Sequence, residues 1–110
     1  MAAHADLAAG RWQTLTLAEQ LGNIGSEIER AIRARDRDDA GRFTGGLDRA
    51  LELFDLTLAD PRWRGRRLRE IARAREVTCD FLVGDNDYRS TADSLASYFL
   101  QFALAARRSR

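Results

Sequence analysis

Apolar residues recur every three or four positions in four stretches of this 110-residue chain, and no stretch alternates with period two. In the first stretch, Leu17, Leu21, Ile24, Ile28, Ala31 and Ile32 fall on one face of a helix wound at ~100° per residue. Thr16-Leu17-Ala18-Glu19 has the form of a capping box, which predicts a helix start at about Leu17. The polar run RARDRDD ends that helix. The second face is Phe43, Leu47, Ala50, Phe54 and Leu58, with Asp38 or Asp36 as its N-cap. Gly45-Gly46 weakens its first turns, by about 1 kcal/mol per glycine relative to alanine. Asp60-Pro61 pairs a capping residue with the only proline, so a third helix is predicted from there to about Val83. It should bury Leu68, Ile71, Ala74, Phe81 and Leu82. GDND breaks the chain, and Ser90 or Thr91 caps a fourth helix that buries Leu95, Tyr98, Phe99, Phe102 and Ala106. Short connections make successive helices antiparallel neighbours. The expected fold is all-α, a single antiparallel up-down four-helix bundle over residues 12–110, preceded by a flexible N-terminal tail, residues 1–11.

Smaller residues refine that picture. Gly22, Gly25 and Ser26 sit beside the apolar stripe of the first helix, where small side chains let a neighbouring helix approach closely. A phosphate-cradling loop is the other use of such glycines, but this run is mid-helix and no Gly-Lys-Ser/Thr follows. Trp12 and Trp63 flank helix starts and are expected to cover the ends of the core. Hydrophobic residues at 45% and charged residues at 32% are globular values. No apolar run approaches ~18 residues, and MAAHADLAAGRW lacks the basic and apolar regions of a signal peptide. The expectation is a cytoplasmic protein without a membrane contact.

Little in the chain equips it for chemistry. Cys79 is the only cysteine, and the only histidine, His4, lies in the tail. No di-iron Glu-x-x-His spacing occurs, and Asp85-Asn86-Asp87-Tyr88 lacks the remaining ligands of an EF-hand, so it reads as a turn. The expectation is a non-enzyme with no cofactor, no metal and no small-molecule substrate.

The charge distribution is more telling than its sum. The net charge is +1, and all eighteen basic residues are arginine, as a GC-rich genome would favour. Residues 36–60 carry seven acids against three arginines, whereas residues 62–75 carry seven arginines against Glu70. On a helix running from Asp60, Arg62, Arg66, Arg69 and Arg73 would form one stripe within ~60°, nearly opposite the apolar face. One reading pairs this stripe with the second helix, Asp55 level with Arg66, Glu52 with Arg69 and Asp48 with Arg73, although Arg67 lies nearer those acids. The other reading is contact with phosphates, which arginine forks suit. Arg75 falls among apolar residues, and Glu27 is its expected partner in a structural ion pair. Leu100 and Leu104, with Ala96, form a second apolar strip on the fourth helix, and Leu56 lies outside the main face of the second. These three leucines are the candidate partner interface, and a homo-oligomer is expected.

WQTLTLAEQLGNIGSEIERA, RALELFDLTLADPRWRGRRLREIARAREVTCDF and YFLQFALAAR resemble segments of a group of small bacterial helical proteins of unknown function, over most of residues 12–107. That resemblance implies a four-helix bundle. More remotely, the size and helix pattern resemble the Avd-like accessory proteins of diversity-generating retroelements. Those are basic oligomeric barrels that bind a reverse transcriptase and its RNA, whereas this chain is near neutral, and no functional residue is carried over. The expected function is that of an accessory or adaptor protein that oligomerises and contacts RNA or a nucleic-acid enzyme. The alternative is a purely structural protein–protein interaction subunit.

Overall fold

The computed structural model describes residues 10–108, so most of the expected tail, with His4, and residues 109–110 lie outside the described residues. The described residues are helical, with no strand among them. A helical segment ending at Trp12 precedes four long helices: α1 (Leu17–Asp36), α2 (Ala40–Leu58), α3 (Arg66–Leu82) and α4 (Ala92–Arg108).

Helix α1 starts where its capping box predicts. The Glu19 backbone N–H donates to Thr16 Oγ1 at 3.1 Å, and the Thr16 N–H donates back to Glu19 Oε1 at 2.9 Å. Its end differs from the expectation in an instructive way. Asp38 adopts a left-handed φ of 57° and the Asp39 N–H reaches back to the Ala34 carbonyl, so Asp38 is used to terminate α1. Asp39, and neither Asp38 nor Asp36, therefore caps α2, accepting from the Arg42 N–H at 3.1 Å.

The third helix departs further. Asp60-Pro61 does not start it: residues 61–65 form an open turn and α3 begins only at Arg66, after Gly65 at φ 59°. Asp60 instead folds over the Arg62 N–H at 3.1 Å, and Trp63 turns inward to a buried position. Leu68 consequently falls in the first turn of α3 and is 37% exposed, not buried. The face that α3 does bury is Ile71, Ala74, Thr78 and Leu82. Helix α4 is capped by Thr91, whose hydroxyl accepts from the Ser94 N–H while Ser94 Oγ accepts from the Thr91 N–H, both at 2.9 Å.

Helix α1 lies at the centre, against α2 on one side and α4 on the other, and α3 packs on α2. The core joins Leu21, Ile24 and Ile28 of α1 to Ala50 and Phe54 of α2, Ile71 and Ala74 of α3, and Leu95 and Phe99 of α4. Trp12 and Trp63 complete it, and both are joined to Gln20 of α1, so they meet at one junction and do not cover separate ends. Small residues set the helix spacing. A Cβ added to Gly25 would stand 2.5 Å from Phe99 Cβ, and one on Gly46 would stand 3.1 Å from Ala31 Cβ. Gly46 thus offsets its helix-propensity cost by letting α2 lie close on α1. No helix among the described residues is long and apolar enough to cross a membrane.

Candidate polyanion-binding surface

The structure breaks the expected four-arginine stripe at Arg62. That residue lies in the turn before α3, and its guanidinium closes on Asp60, with Nη2 2.7 Å from Oδ2. Nη2 also donates to the Leu15 carbonyl at 2.6 Å, and the guanidinium stacks over the Trp63 ring at 4.5 Å. The side-chain bonds from Arg62 come first among the forces holding Asp60 down to a pKa of about 2, against 3.8 ordinarily. Arg62 is a structural clamp, not a free contact.

Arg66, Arg69 and Arg73 remain, all exposed on α3 within ~60° of one another. The expected register against α2 does not form. Asp55 takes Arg75, at 3.1 Å, in place of Arg66, and neither Asp48 nor Glu52 makes an ion pair among the described residues. Arg67 leans over Trp63 at 5.9 Å and does not meet those acids. Arg73 lies over the Tyr88 ring at 5.3 Å. The Tyr88 hydroxyl in turn donates to Glu76 at 2.7 Å, a bond that raises its pKa. Glu70, the acid inside the arginine run, accepts from the Tyr98 hydroxyl at 3.3 Å. Burial, followed by the Glu70 charge, pushes Tyr98 up to about 12.

Seven arginines between residues 62 and 75 thus divide, among the described residues, into two with carboxylate partners, Arg62 and Arg75, and five without one. Four of the five, Arg64, Arg66, Arg67 and Arg69, cluster at the start of α3, whose Gly65 N-cap supplies no side chain and whose first turn holds no acid; Arg73 lies one turn beyond Arg69. Unpaired N–H groups and the helix dipole add to the positive potential there. Beside them, Arg69, Ala72, Arg73, Arg75, Glu76 and Cys79 line an open groove of about 690 Å³.

The expected Arg75–Glu27 pair is absent. Arg75 is half-exposed on α3 and bonds Asp55. Glu27 instead joins Arg30 at 2.7 Å and, across the α1–α2 contact, Arg49 at 2.9 Å. The α3 helix starts late and its arginine edge meets α2, not α1, which no helical wheel of one segment can show.

A second basic groove, of about 410 Å³, went unread in the sequence because its arginines come from two helices: Arg30, Arg33 and Arg37 from α1 and its end, Arg42 and Arg49 from α2. Four of these already hold carboxylates, through Glu27, Glu29 and Asp39, which leaves it the more neutralised of the two surfaces. Of the candidate interface leucines, Leu100 and Leu104 are exposed, but Leu56 packs against the core and is withdrawn from that role.

No protein-family model matches the chain, and neither a curated protein nor a solved structure is significantly similar to it.

Proposed function

We propose that this chain is a non-enzymatic accessory protein that holds the phosphate backbone of RNA, free or in a nucleoprotein partner, on the first half of α3. One observation carries the reading: among the described residues Arg66, Arg69 and Arg73 are exposed and hold no carboxylate, while Asp55 takes Arg75 and neither Asp48 nor Glu52 makes an ion pair. Three guanidinium groups along ~10 Å of helix suit adjacent phosphates and specify no base. The scaffold would be the up-down four-helix bundle that the α1–α2, α2–α3 and α1–α4 contacts suggest.

The test is fluorescence anisotropy with a short single-stranded RNA at low salt. Weak binding is expected, with affinity falling as salt rises at a logarithmic slope of about −2, the value for three neutralised phosphates. Changing Arg66, Arg69 and Arg73 to glutamine should weaken binding at least ~10-fold without altering the helical signal. The same change at Arg30, Arg33 and Arg37 should have a smaller effect. No binding by the wild type at low salt would decide for the alternative, a purely protein-binding subunit.

A further inference from the structure

We propose that α4 pairs with α4 of a second copy of this chain, antiparallel and centred on Leu100. The proposal rests on the expectation that the chain self-associates through its exposed leucines. It adds the register and the contacts.

Asp93, Ala96, Leu100, Leu104 and Arg107 lie within ~80° on the surface of α4. All five are exposed, Leu100 by 55% and Leu104 by 43%. Asp93 and Arg107 form no salt bridge among the described residues. The strip is therefore apolar in the middle and oppositely charged at its two ends, about 21 Å apart.

A two-fold axis through Leu100 matches every position of this strip to a complement. Leu100 meets Leu100 of the partner subunit. Leu104 meets Ala96 of the partner subunit, large against small. Asp93 meets Arg107 of the partner subunit, and symmetry repeats that contact at the other end. A parallel pair in register would set aspartate on aspartate and arginine on arginine, so charge selects the antiparallel arrangement.

The surface beside the strip fits the same geometry. Ala96 borders a groove between α1 and α4, of about 390 Å³, lined by Ile28, Ile32, Ala92, Phe99 and Leu100. Antiparallel pairing brings Leu104 of the partner subunit to the mouth of this groove. A single-helix contact is small, so the dimer should be reversible, with a Kd on the order of micromolar.

Asp93 and Arg107 also suit the first and last turns of α4, where the helix dipole favours an acid and a base respectively. A charge swap separates the two roles, because reversing both charges opposes the dipole twice but restores the intersubunit pairs.

The experiment is sedimentation equilibrium of the full chain from about 5 to about 200 µM, a range spanning the expected Kd. The wild type should be a reversible dimer. Asp93→Arg and Arg107→Asp should each weaken it at least ~10-fold, and the double variant should return to within ~3-fold of wild type. In a Cys79→Ser background, Leu100→Cys should oxidise to a linked dimer and Leu104→Cys should not, because only residue 100 brings its Cα within ~7 Å of its symmetry mate. A wild type monomeric at the highest concentration overturns both the self-association expectation and this register. A wild-type dimer indifferent to the single swaps, or one linked through residue 104 and not 100, overturns the register alone.

Discussion

The indole N–H of Trp63 donates to the side-chain oxygen of Gln20 at 2.9 Å, and Gln20 is wholly buried. The amide nitrogen of the same side chain donates to the Trp12 carbonyl at 2.9 Å and to Asp60 Oδ2 at 3.1 Å. The Trp12 indole N–H donates to Thr57 Oγ1 at 2.8 Å. One glutamine in the first turn of α1 thus ties the preceding segment to the turn that leads into α3. Gln20→Leu keeps most of the volume but strands the buried Trp63 N–H, whereas the Trp12 carbonyl keeps the Leu15 N–H at 3.1 Å. Urea unfolding should show a loss of about 1–3 kcal/mol, the cost of an orphaned buried polar group.

Asp60 makes that junction pH-dependent. Its carboxyl is depressed from 3.8 to about 2, chiefly by the Arg62 side chain. A depressed folded-state pKa stabilises above the unfolded value and loses that stabilisation as pH falls through the folded one. The loss should therefore run from about pH 4 down to about pH 2 and amount to about 2 kcal/mol. Asp60→Asn should be less stable at pH 7 by a similar amount and should lose this acid transition, as unfolding followed against pH will reveal.

Gly25 and Gly45 should respond oppositely to alanine. At Gly25 the new Cβ would stand 2.5 Å from Phe99 Cβ, so α1 and α4 must move apart. A loss of about 2 kcal/mol is expected after the gain in helix propensity. At Gly45 the nearest atom is a guanidinium nitrogen of Arg49 at 3.7 Å. Gly45→Ala should gain up to about 1 kcal/mol. Thermal melts of the two variants check both signs.

Arg75→Ala should cost less than about 1 kcal/mol. Its partner Asp55 is 63% exposed, and the pair is held in water, not buried. A loss of several kcal/mol in urea titrations would contradict the Asp55 pairing.

Thr78 is fully buried, and its hydroxyl has no hydrogen-bond partner among the described residues. Thr78→Val removes that unsatisfied group at nearly constant volume. Stability should rise by about 1 kcal/mol, measured as a higher urea midpoint at unchanged m-value.

The local signals were legible wherever one helix decides the outcome. The capping box at Thr16, the apolar faces of α1 and α4, the Thr91 cap and the exposed strip at Leu100 and Leu104 all depend on residues three or four apart. The close approach at Gly25 was also readable, since a glycine beside an apolar stripe has few other uses in a helix. Failures concentrated between Asp60 and Gly65. Asp-Pro is a sound helix start in isolation, but Asp60 and Trp63 both bond Gln20, some forty residues earlier, and that bonding keeps residues 61–65 out of the helix.

The candidate surface follows the same division. Sequence alone determined that the arginines cluster ahead of Leu82, because composition is local. Only the tertiary structure decided which of them are free. Arg62 is held by a buried carboxylate and Arg75 by α2, while Arg66, Arg69 and Arg73 are exposed and form no ion pair among the described residues. The physical reason is that an ion pair needs its partners within ~4 Å, and the late start of α3 moved its arginines by whole residues relative to α2.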